Sequence, residues 1–127
     1  MKTIQQEYLI AAPIDDVWRA LVDVEAIEGW GGGPAEMDDQ VGTEFSLWDG
    51  DIYGKNIEVI PQEKLVQEWY AYDWEEPSTA TFTLFEEDNG TRLEFLHENV
   101  PERHAKDIEQ GWRDYYLGSL KDYLENK

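Results

Sequence analysis

Apolar and polar positions change their period along this chain, and the changes mark its elements. Ile4, Tyr8 and Ile10 alternate with Gln5, Glu7 and Leu9, as in a strand with one buried face, although Gln6 interrupts the apolar side. Pro13 then opens a helix. Asp15 and Asp16 fall in its first turn, where the helix dipole favours negative charge, so they read as helix-start residues rather than acid–base catalysts. Val17, Trp18, Leu21 and Val22 recur at helical spacing, and Asp23 to Gly29 predict a second short helix ending at glycine. Trp30 follows at once. The run Gly31-Gly32-Gly33-Pro34 predicts a mobile loop, a hinge or gate, because it lacks the lysine and the strand-to-helix context of a phosphate cradle.

From Ala35 the period becomes two. Phe45 and Leu47 share one face, Ile57 and Val59 another, and Pro61 to Lys64 form a turn before a strand from Leu65 to Tyr72. Trp69 lies on the Leu65 face of that strand while Val66, Tyr70 and Tyr72 share the opposite parity, and the strand alone leaves open which set is buried. Ala80, Phe82 and Leu84 alternate cleanly with Thr79, Thr81 and Thr83, giving an apolar inner and a threonine outer face. An Asn89-Gly90 turn leads to Leu93, Phe95 and His97 on one face, and Pro101 stops the strand. A helix beginning at about Glu102 or Ala105 and running to Leu124 then carries Ile108, Trp112, Tyr115 or Tyr116, Leu120 and Leu124 near one stripe. An aromatic-faced helix after consecutive antiparallel strands must close over their apolar face, and such a grip leaves room for a cavity.

At 127 residues the chain supports one core, so residues 1–127 are expected to form a single α+β domain. The formal charge of −19 repels a phosphate backbone, which argues against nucleic acid and anionic membranes. It reads as a solvated surface, adapted to high salt or complementary to a basic protein partner. With no cysteine, thiolate nucleophiles, disulfides and zinc-thiolate sites are excluded. The N-terminus has no signal-peptide pattern and no apolar run reaches membrane length, so a cytoplasmic protein without membrane insertion is expected.

The order of elements and several local motifs resemble the helix-grip superfamily called START-like or SRPBCC, which includes the birch-pollen-allergen fold. Within it the chain is similar to the C-terminal domain of the family named for the activator of the ninety-kilodalton heat-shock chaperone's ATPase. The matching stretches are Ala12 to Trp18, Trp48 to Gly54, Ile60 to Trp69, Thr81 to Leu84, Gly90 to Leu93 and Gly111 to Tyr116, nearly the whole chain in sum. The resemblance implies an antiparallel sheet of about six or seven strands wrapped around a long C-terminal helix, with two short helices after the first strand. It implies a cavity for apolar molecules, and more weakly a chaperone partner, since one fold hosts many activities. The eukaryotic activators carry an additional N-terminal domain, for which this chain, starting at its first strand, is expected to have no room.

Two histidines cannot make a three-histidine metal centre, no calcium-loop or His-Glu-x-x-His spacing occurs, and neither metal nor cofactor is expected. Ser46, Ser78 and Ser119 lie in no nucleophile elbow, and Asp49 and Asp51 around Gly50 read as a hairpin turn. His97 shares parity with Leu93 and Phe95 and is either a satisfied structural histidine or a polar group facing the cavity. The expected lining is Trp18, Trp30, Phe45, Leu47, Ile57, Val59, Trp69, Phe82, Leu84, Leu93, Phe95, His97, Trp112 and Tyr116. Gly111 is expected to pack closely on the sheet, making Gly111→Leu destabilising. The leading function is a non-catalytic binding protein for a small hydrophobic or amphipathic ligand. The alternative is a stress-related co-chaperone acting on the ninety-kilodalton chaperone's ATPase, and the third a cyclase- or hydrolase-type enzyme. Oligomeric state is not legible.

Overall fold

Each change of period becomes an element in the computed structural model, in which residues 1–126 are described. The alternating N-terminus is β1 (Lys2–Ile10), and two short helices follow, α1 (Ile14–Val22) and α2 (Val24–Trp30). Five further strands come next, namely β2 (Glu44–Leu47), β3 (Ile52–Ile60), β4 (Lys64–Ala71), β5 (Ser78–Glu87) and β6 (Gly90–Val100). The C-terminal helix is continuous but not uniform: α3 (Glu102–Gly111) passes through a π-helical turn at Trp112–Tyr116 into α4 (Leu117–Glu125). All six strands form one antiparallel sheet in the order β1-β6-β5-β4-β3-β2, the helix-grip α+β architecture that the resemblance implies.

The parity left open in β4 is settled. Leu65, Gln67, Trp69 and Ala71 are buried and continue the inward face of β5 and β6, where Ala80 pairs with His97, Phe82 with Phe95 and Leu84 with Leu93. Tyr70 points the other way and stacks on Tyr53, centroids 5.0 Å apart. Gln6, which breaks the apolar alternation of β1, is buried because its amide donates to the Glu109 carbonyl of α3 at 3.0 Å. Leu93, Phe82, Leu21, Ile27, Leu117 and Leu120 are sealed in one hydrophobic cluster, and fully burying one such side chain contributes about 1.5–3 kcal/mol.

Four local expectations need correction. The second helix ends one turn-position later, on Gly31 in the left-handed region at φ 104°, while Gly29 lies inside it where an added Cβ would meet the Tyr123 ring at 2.7 Å. The glycine loop is tethered: Trp48 donates its backbone N–H to Gly32 O at 2.8 Å and its indole N–H to Gly31 O at 2.7 Å, and Asp49 N–H reaches Pro34 O at 2.9 Å. In β3 a register shift between Asn56 and Glu58 turns the pattern over, so Ile57 is 42% exposed and is no cavity residue. Asn56 is buried instead, holding the carbonyls of Asp38 and Gln40 and accepting from Gln67 at 2.9 Å.

Gly111 is the fourth. Nothing lies within 4 Å of a Cβ built there, so it does not pack on the sheet. The close approach is at Gly118, where a Cβ would stand 1.7 Å from the Arg113 carbonyl. The wide turn explains it: Leu117 N–H bonds back five residues to Trp112 O, which swings the Arg113 carbonyl toward residue 118.

Candidate binding cleft

Strand β4 carries Trp69 inward and β6 carries His97 inward, and the C-terminal helix lays Trp112 over both. The Trp112 indole N–H donates to His97 Nδ1 at 3.0 Å, which fixes the imidazole proton on Nε2. That nitrogen lies 2.8 Å from Ser78 Oγ, and the Ser78 hydroxyl donates in turn to the Trp69 carbonyl at 2.7 Å. The chain of donors runs from helix to β6 to β5 to β4 with no proton left over. Burial holds the His97 pKa down at about 3, so the ring is neutral and its capacity is used within the fold. His97 is thus a structural clamp. A general base needs a free lone pair, and that of His97 Nδ1 is taken by the Trp112 N–H.

Away from this clamp the helix and sheet part. The helices make their main sheet contacts on β1, β5 and β6 and reach β4 through the Trp112 ring on Trp69. A cleft of about 950 Å³ opens there, between the β2–β3 turn, the ends of β3 and β4, and the α3–π segment. Its size suits a small molecule, since ligand pockets are typically about 300–1,000 Å³. Trp48, Ile52, Trp69, Ala71, Ile108 and Trp112 make its apolar walls. Gly111 faces it without a side chain, which is why the space above that glycine is open.

Two residues of the cleft wall carry buried polar atoms without a partner, Trp69 Nε1 and Tyr116 Oη. Tryptophans 30, 48, 74 and 112 donate their indole N–H within the protein, whereas that of Trp69 is buried without an acceptor. Burial raises the Tyr116 pKa, so its hydroxyl keeps its proton. At the mouth, Tyr115 is 67% and Tyr72 59% exposed, large aromatic surface where a freestanding protein gains nothing by showing it. Tyr72 is held by stacking on His104 at 4.0 Å, and Trp74 donates to His104 Nδ1 at 2.9 Å.

Of the residues expected to line a cavity, Trp69, Trp112 and Tyr116 do so. Trp18, Trp30, Phe45, Leu47, Phe82, Leu84, Leu93, Phe95 and His97 are instead packed in the core, and Val59 is partly buried against it. Trp48, Ile52, Ile108 and Tyr115, outside the expected lining, border the cleft as well, and so does Tyr72, which the sequence offers as lining only if its strand parity faces inward. Trp48 and Tyr72 have positive φ, 49° and 53°, so strand parity cannot place them, although the Asp49-Gly50 pair beside Trp48 signals an irregular turn. No group of three or more His, Cys, Asp or Glu is arranged to hold a metal ion among the described residues. Among them no helix is long and apolar enough to cross a membrane.

Comparison with known proteins extends the geometric picture. The model of the family described as "Activator of Hsp90 ATPase homolog 1-like protein" matches residues 11–125. Activator of 90 kDa heat shock protein ATPase homolog 1 from Homo sapiens is 27% identical over 94% of this chain, which corresponds to 36% of that protein. The chain therefore spans about a third of the length of the curated relatives it matches. Among solved structures, an HSP90 activator from Plasmodium falciparum superposes with a TM-score of 0.88 at 26% identity, covering 98% of this chain and 96% of the other. CalU16 from Micromonospora echinospora superposes with a TM-score of 0.78 at 30% identity, over 96% and 72% of the two chains.

Proposed function

Given that the chain belongs to the family of activator of Hsp90 ATPase homolog 1-like proteins, we propose that it is a non-catalytic binding protein whose cleft holds a small hydrophobic or amphipathic molecule between the sheet and the C-terminal helix. The observation that carries this reading is a cleft of about 950 Å³ whose walls include the aromatic and apolar side chains of Trp48, Ile52, Trp69, Ala71, Ile108 and Trp112. The chemistry of the wall speaks for binding over turnover, because His97 is clamped and neutral and no acid–base pair or activated nucleophile stands in the cleft.

Intrinsic tryptophan fluorescence against a panel of lipids, sterols and aromatic metabolites tests the reading. Trp48, Trp69 and Trp112 stand in the cleft, so an occupant shifts or quenches the emission. A panel that leaves the spectrum unchanged removes it.

The names of the relatives favour a second reading, a co-chaperone-like protein that uses its acidic surface on a basic region of the ninety-kilodalton heat-shock chaperone. Exposed charge is screened by salt, so this association weakens as salt rises. No binding to that chaperone at low salt, together with an unaltered ATPase rate, eliminates it.

A further inference from the structure

The charged groups that line the cleft are of one sign. Asp51 comes from the β2–β3 turn, and Asp107 and Asp114 from the helix across the opening. No lysine, arginine or histidine joins them, although the chain has 10 basic residues and two histidines. Positions 107, 111 and 114 follow helical spacing, so the two helix carboxylates bracket the gap that Gly111 leaves. The mouth is therefore ringed by carboxylates and floored by aromatic rings. A cleft lined by one sign of charge with apolar walls concentrates the field, and the net charge of −19 adds to it.

Resting on the binding reading above, we propose that the cleft selects cationic amphiphiles: an aromatic or alicyclic body carrying a protonated amine, as opposed to fatty acids or other anionic lipids. The ring system lies against Trp69 and Trp112. The ammonium stands at the mouth with Asp51, Asp107 and Asp114, where Tyr72 and Tyr115 also present exposed aromatic surface. An anionic headgroup at the same mouth meets three carboxylates and no compensating cation.

Three probes with one ring system separate the charge from the hydrophobic body: 1-naphthylmethylamine, 1-naphthylmethanol and 1-naphthylacetate, each titrated into the full chain by NMR of the indole N–H resonances. The expected order is amine tightest by about tenfold over the alcohol, with the acetate weakest. The amine's advantage shrinks as ionic strength rises, and the triple variant Asp51→Asn, Asp107→Asn, Asp114→Asn brings amine and alcohol together while the alcohol's affinity is retained. Equal affinity of amine and alcohol for the unaltered protein, or acetate binding best, overturns the charge selection but leaves the hydrophobic cleft standing. If none of the three binds, the hydrophobic reading falls with it.

Discussion

The two halves of the helix–sheet interface treat the same aromatic chemistry in opposite ways. Over β5 and β6, Trp112, His97 and Ser78 pass one another their protons until the last is delivered to the Trp69 carbonyl. Over β3 and β4, the Trp69 indole and the Tyr116 hydroxyl are equally buried and have no partner. The two histidines differ in burial and not in partnering. Each accepts an indole N–H, His97 from Trp112 at full burial and His104 from Trp74 beside the exposed Tyr72. A half in which polar groups are satisfied holds the fold together; a half with open requirements is where we propose that an occupant is accommodated.

If that division is right, the closed half is the more fragile. His97→Ala strands the Trp112 N–H and the Ser78 hydroxyl in the core and leaves a void, and chemical denaturation is expected to show a loss of about 3 kcal/mol. A loss below about 1 kcal/mol means that the relay is not a clamp. The two helix glycines sharpen the contrast. Gly118→Ala drives a Cβ into the Arg113 carbonyl and costs at least about 2 kcal/mol, whereas Gly111→Leu enters open space and leaves stability unchanged or raises it by up to about 1 kcal/mol. The same leucine fills the cleft, so thermal stability is kept while ligand binding is lost.

Acid adds a gentler test. The His97 pKa is depressed in the fold to about 3 against an ordinary value of 6.5. The unfolded chain therefore binds one more proton between those values. The stabilisation is complete above pH ~6.5 and declines by about 1.4 kcal/mol per pH unit as pH falls toward 3. In His97→Gln, which keeps an acceptor and a donor but does not titrate, that part of the slope vanishes, and the stability gap between the two proteins narrows from pH 6.5 downward. A constant gap contradicts the neutral clamp. The smallest effect is in the open half: Tyr116→Phe removes a hydroxyl that bonds to nothing, so its stability stays within about 1 kcal/mol of the parent, with the change neutral or favourable. A clear destabilisation reveals a partner for that hydroxyl.

The closed half was largely legible in the sequence, because alternation in β5 and β6 placed Phe82, Leu84, Leu93, Phe95 and His97 on one face and helical spacing set Trp112 above them. The open half was not, for reasons that lie in its backbone. In β4 both faces are apolar, since outward Tyr70 finds Tyr53 to stack on, and alternation carries no direction there. Trp48 and Tyr72 enter the cleft from positive φ, outside any strand period. The π-helical turn moved the tight glycine from position 111 to 118, and its i to i+5 bond has no pattern of side chains that announces it. The orphaned Trp69 N–H likewise has no signature in the sequence and becomes visible only once the core is packed.

The most direct test therefore follows the indole N–H resonances of all six tryptophans while 1-naphthylmethylamine is added to the parent protein and to Gly111→Leu. In the parent, the Trp69 and Trp48 signals are expected to move while Trp18, in the closed half, stays put; in Gly111→Leu nothing moves. Shifts confined to Trp18, or a Gly111→Leu protein that responds like its parent, contradict the assignment of the open half as the binding site.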